Sequence, residues 1–110
     1  MELIKIKPLS VNDAWKGRRF RSAKYNSYRQ SLFNLLPKIS IPEGKKQLNL
    51  IVGFSSKGSD VDNILKPFID VLQLKYKFND SAIYKIIIEK EIVKKGSEFV
   101  KFEFEKYLKQ

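Results

Sequence analysis

Gln47-Leu48-Asn49-Leu50-Ile51-Val52-Gly53-Phe54-Ser55 alternates, with Leu48, Leu50, Val52 and Phe54 on one face, and the chain beyond it abandons that period. A repeat of two is the signature of a half-buried strand. From Val61 the apolar residues recur as Val61, Ile64, Leu65, Phe68, Ile69 and Leu72, the single stripe of a helix over Asp62–Lys75. Pro67 lacks a backbone donor, so either that helix bends or its regular part begins near Lys66 with Pro67 in the first turn. Downstream, Phe78-Asn79-Asp80-Ser81 reads as a turn. Strands over about Ala82–Val93 and Glu98–Leu108 follow, joined as a hairpin around Lys94-Lys95-Gly96-Ser97. Upstream, Leu3–Lys7 is a short strand, residues 8–20 a long functional loop, and Ser22 the N-cap of a helix reaching about Leu36. The order is β-α-β-α-β-β. It predicts one α+β (mixed α/β) domain over residues 1–110, two helices covering a small mixed sheet.

Charge bounds the function. The 22 Lys+Arg against 12 Asp+Glu give +10, and residues 1–37 hold 8 basic and 2 acidic side chains, a net +6. All four arginines, Arg18, Arg19, Arg21 and Arg29, lie inside one twelve-residue window. Such a field attracts phosphate backbones, and Arg forks suit phosphate oxygens. Asn12, Trp15, Lys16, Arg18, Arg19, Arg21, Lys24 and Lys57 are the candidate nucleic-acid contacts. Trp15 and Phe20 are candidates to stack on an unpaired base, with core burial the alternative for Phe20. With His 0 and Cys 0, Ser-His-Asp, Cys-His and zinc chemistry are excluded, and there is no disulfide framework. No apolar run is long enough to span a bilayer, and the N-terminus lacks the pattern of a secretory signal. A cytoplasmic protein is expected.

Catalysis, if present, must rest on carboxylates, lysines or a hard cation. Four of the five aspartates (Asp60, Asp62, Asp70, Asp80) fall within residues 60–80. Asp60 and Asp62 flank the start of the second helix, and Asp80 occupies the turn before the next strand. If that strand lies beside the one ending near Phe54, Asp80 returns to the same end of the sheet. Clustered carboxylates repel unless a cation sits among them, and an oxygen-only donor set points to Mg²⁺, with Mn²⁺ as substitute. Lys66, four residues after Asp62, is placed to meet a phosphate oxygen as a point charge. Singly, each residue has a structural reading: Asp60 as helix cap, Asp62 with Lys66 as a solvated pair, Asp80 as a turn residue, Asp70 as a partner of Lys66.

Taken together, Asp60-Val61-Asp62-Asn63-Ile64-Leu65-Lys66-Pro67-Phe68-Ile69-Asp70-Val71-Leu72 and Phe78-Asn79-Asp80-Ser81-Ala82-Ile83 resemble the RusA family of Holliday junction endonucleases. The family pattern is Asp-x-Asp-Asn-x-x-Lys, a helix, then an acidic turn entering a strand. Pro8–Asn12 and Arg18–Tyr28 look like its N-terminal loop and first helix. The resemblance implies a homodimer that nicks four-way DNA junctions symmetrically with Mg²⁺, in recombination and repair. It implies metal-binding aspartates at Asp60, Asp62 and Asp80 and a catalytic lysine at Lys66. Members are often phage-borne. Asn79 departs from the two successive acidic residues frequent at the turn. The expected partner is branched DNA, with neither a membrane nor a small-molecule substrate. The alternative is a non-catalytic nucleic-acid-binding module of the same fold.

Overall fold

β4 (Lys46–Phe54) forms where the alternating stretch demands it and becomes the middle of the protein: Leu48, Leu50 and Val52 are at most 1 % exposed. The structure, a computed structural model, describes residues 1–16 and 20–108, the side chains of Trp15, Lys16 and Phe20 excepted. In chain order the elements are β1 (Glu2–Ile4), α1 (Val11–Ala14), β2 (Trp15–Lys16), β3 (Phe20–Arg21), α2 (Ala23–Leu35), β4, α3 (Leu65–Tyr76), β5 (Ile83–Ile92) and β6 (Phe99–Lys106). Two 3₁₀ turns, Asp62–Ile64 and Asp80–Ala82, precede α3 and β5. The class is α+β, with a mixed four-stranded sheet.

The sheet order is β1-β6-β4-β5. β4 runs parallel to β5 and antiparallel to β6, which also pairs antiparallel with β1. Leu48, Leu50 and Val52 share one face with Phe104, Phe102 and Val100 of β6, and α2 and α3 cover that face. Tyr25, Tyr28 and Leu32 of α2 and Phe68, Val71 and Leu72 of α3 complete the core. Phe68 meets Phe102 edge to face at 5.7 Å. The opposite face of the sheet is polar. There Asn49 donates to Glu103 (3.0 Å) and Glu105 (2.8 Å), while Gln47 donates to Asn49 (2.9 Å).

Three expectations are corrected here. β5 and β6 form no hairpin, because β4 lies between them. Val100 and Phe102 of β6 are fully buried and need a neighbour on each side, whereas β5 carries Lys85, Glu89, Lys90 and Glu91 and suits an edge. The linking segment crosses the end of β4, where the Val93 N–H donates to the Phe54 carbonyl at 2.7 Å. Residues 8–20 are not one loop: they contain α1 and the first strand of the β2–β3 pair, which sets Trp15 opposite Arg21 and Lys16 opposite Phe20. The first strand ends at Ile4, short of Lys7. The helix starts agree better with the sequence. Ser22 caps α2, its Oγ accepting from the Tyr25 N–H at 3.1 Å. α3 begins at Leu65 with Pro67 in its first turn, where a missing donor costs nothing.

Candidate active site

The segment leaving β4 turns back over the sheet to reach α3. Lys90 of β5 pins it, its Nζ donating to the carbonyls of Lys57 (2.7 Å) and Ser59 (2.6 Å). Asp60 follows directly. Its backbone carbonyl accepts from the Asn63 N–H (3.3 Å) and its carboxylate accepts from the Asn63 side-chain amide (3.5 Å), while the 3₁₀ turn that follows has Val61 at its N-cap and no side-chain cap. Asp62 opens the 3₁₀ turn and is exposed. A cleft of about 390 Å³ lies against Asp60 and Asn63, with Lys7, Asp13, Ser59 and Glu98 on its walls. The Glu98 carboxyl is held below its usual range by its own backbone N–H, then by the Ser55 hydroxyl and the Gly96 N–H.

Lys66 sits on the first turn of α3 with its Nζ 2.9 Å from Asp70 Oδ1. The other Asp70 oxygen accepts from the Tyr25 hydroxyl at 3.1 Å. Asp70 therefore links α3 to α2 through one carboxylate. That hydrogen bond holds the Lys66 ammonium above its ordinary range; partial burial opposes it, and the charges of Asp70 and Asp80 reinforce it. Lys66 is thus a cation at any physiological pH, and the field of Asp80 reaches it.

Asp80 does not return to the same end of the sheet as Asp60 and Asp62. The register pairs Lys46 with Ile83 and Phe54 with Ile92, so β5 starts where β4 starts. A helical connection makes the two strands parallel, which reverses the expectation. Asp80 is instead tied to the last turns of α3, its N–H donating to Gln73 Oε1 at 2.9 Å. Asn79 takes a local role, its side-chain oxygen capping the turn by accepting from the Ser81 N–H at 2.9 Å. Among the described residues no three carboxylates stand close enough to hold a metal ion together.

Of the expected nucleic-acid contacts, Asn12, Arg21, Lys24 and Lys57 are exposed. Arg18 and Arg19 lie outside the described residues, as do the side chains of Trp15, Lys16 and Phe20. No helix of the described residues is long and apolar enough to cross a membrane. Tyr25, Lys90 and Glu98 escaped the sequence reading. Tyr25 and Glu98 look like core and strand residues, and no local pattern marks them. Asp70 was visible only as a helical partner of Lys66.

Residues 9–101 match the family described as endodeoxyribonuclease RusA, most of the 110-residue chain. The chain belongs to the RusA endodeoxyribonuclease family. No curated protein matches it. RusA membership implies an endonuclease of the Holliday junction resolvase type, acting on branched DNA and generally dependent on a divalent metal. The matched span contains Asp60, Asp62, Lys66 and Asp80.

Proposed function

We propose that this RusA protein resolves four-way DNA junctions as a homodimer, by paired Mg²⁺-dependent nicks, in recombination and repair. The observation that carries this reading is the family match over a span in which Asp60, Asp62 and Lys66 stand on one strand-to-helix turn, with Asp60 lining an open cleft. The donor chemistry fits Mg²⁺, or Mn²⁺ in its place: only hard oxygen ligands are available, and Mg²⁺ takes one or two carboxylates with water and phosphate filling the rest. Asp60 and Asp62 would supply those carboxylates, while Asp80 stands apart from them and acts on Lys66 through its charge. When bound, such a cation supplies an activated water and offsets charge on the reacting phosphate.

The chain's own groups do the remainder. Lys66 presents a fixed positive charge to a non-bridging or leaving oxygen, and Asp70 with Tyr25 fixes the direction in which it reaches. Asn12, Arg21, Lys24 and Lys57, with Trp15, Lys16, Arg18 and Arg19, would grip the backbone around the branch. The polar face of the sheet is the wrong sign for this. Its strand positions carry Lys85 and Lys101 against Glu89, Glu91, Glu103 and Glu105, a net of −2 in a chain of +10. DNA therefore docks on the helical side.

A fixed synthetic four-way junction tests the reading directly. Mg²⁺ should yield two symmetric nicks and a matched linear duplex should remain intact, with no cleavage in EDTA. A protein that binds the junction but nicks it with neither Mg²⁺ nor Mn²⁺ is a binding module, and the nuclease assignment is then wrong.

A further inference from the structure

The two edges of the sheet differ sharply. β1 has three residues, too short to template another strand. β5 has ten, with no proline, and among the described residues nothing pairs with its outer edge. It also exposes Tyr84, Ile86, Ile87 and Ile92 at 39–56 %. A long, regular, apolar edge invites a further strand. We propose that β5 pairs antiparallel with β5 of a second copy about a two-fold axis through Ile87, joining two sheets into one of eight strands. This deepens the homodimer named above and rests on that reading.

Geometry and charge select the register. Every outward-facing hydrogen-bonding residue of an edge has the same parity, so two identical strands pair only where the paired numbers sum to an even value. The axis must then pass through a residue. Centred on Ile87, Lys85 faces Glu89 twice, Ile86 faces Ile88 twice, Ile87 faces itself, and Tyr84 faces the stem of Lys90, whose ammonium stays on the Lys57 and Ser59 carbonyls. Centred on Glu89, like charges meet on the axis. Centred on Ile88, Ile87 faces Glu89 and Ile86 faces Lys90; centred on Ile86, Lys85 faces Ile87. This register alone sets Lys85 against Glu89 and keeps the central isoleucines opposite one another, leaving its one mismatch, Ile83 against Glu91, at the strand ends. The strand itself is neutral, with Lys85 and Lys90 against Glu89 and Glu91, so this is a place where two copies of a +10 chain meet without repulsion. The same axis is perpendicular to the sheet. It puts both helical layers, and both copies of Asp60, Asp62 and Lys66, on one side, as a single junction requires.

The chain has no cysteine, so single-cysteine variants report the interface cleanly. Ile87→Cys should crosslink to itself under mild oxidation, while Leu3→Cys, as exposed but on the other edge, should not. By light scattering at micromolar concentration, Lys85→Glu should weaken the dimer roughly tenfold, from two like-charge pairs, and the double exchange Lys85→Glu with Glu89→Lys should restore it. Circular dichroism confirms folding of each variant. A monomer throughout, a dimer unmoved by Lys85→Glu, or crosslinking at Leu3→Cys instead of Ile87→Cys overturns the inference. Because the readout is mass and crosslinking, a β5 dimer that nicks nothing sinks only the nuclease reading. A resolvase whose dimer ignores β5 sinks only this one.

Discussion

Asp70 shows how a single carboxylate can separate a candidate catalytic group from a decorative one. It binds Lys66 with one oxygen and Tyr25 with the other, and so gives the exposed lysine a partner that is itself anchored to α2. Lys66→Ala should lower cleavage by about 10²–10³-fold, the scale of losing one transition-state charge contact, with metal affinity near normal. Asp70→Asn should lower cleavage less and leave junction binding intact; equal loss of both in gel-shift and nicking assays would mean a folding defect. The tyrosines give a second expectation. Burial raises Tyr25, Tyr28 and Tyr76 above the usual 10.0, Tyr76 to about 12, with Asp70 adding to Tyr25 and Glu2 to Tyr76. The folded chain holds these protons after the unfolded chain has released them. Their contribution is therefore complete below pH 10 and is lost as pH rises above 10, for Tyr76 through about 12 and for the other two higher still. Urea midpoints measured across that window should fall, and a flat profile would contradict the burial of these hydroxyls.

Among the elements, the helices were legible and the strand partners were not. Ser22 and the apolar stripe of α3 act locally, within one turn, and the sequence carries them openly. Strand pairing depends on burial summed over distant residues. The short Lys94–Ser97 turn reads as a hairpin, yet Val100 and Phe102 stabilise the chain more at the centre of the sheet than beside β5. The same topology starts β5 at the other end of the sheet from the Asp60 turn, so the place of Asp80, the third proposed carboxylate, was not legible from its turn chemistry. Two substitutions test the elements. Lys77 ends α3 with φ 55°, a left-handed conformation that costs a side chain energy, so Lys77→Gly should stabilise the fold by about 0.5–1 kcal/mol. Gly53 lies under the Phe99 ring, where any Cβ would overlap it, so Gly53→Val should destabilise by about 1–3 kcal/mol. Thermal or urea denaturation reads both, and opposite signs would contradict the assigned backbone. For the basic segment, replacing Arg18 and Arg19 by Ala should flatten the salt dependence of junction binding by about one log unit of slope per lost phosphate contact. An unchanged slope would mean that they face away from DNA.

The whole molecule has two unlike faces, with helices covering one side of the sheet and the glutamate-rich strand positions on the other. On the proposed reading, the aspartates meet DNA from within a chain of net charge +10. It sets up a conflict that only an enzyme needs: carboxylates held against phosphates repel them unless a cation intervenes. A binding module would do better without them. Asp62→Asn keeps the shape and removes one charge, so it distinguishes the two directly. The measurement is junction cleavage in Mg²⁺ and gel-shift in EDTA on one preparation of that variant. The account predicts cleavage reduced by several orders of magnitude with binding equal or tighter; full cleavage, or cleavage, binding and folding lost together, would contradict it.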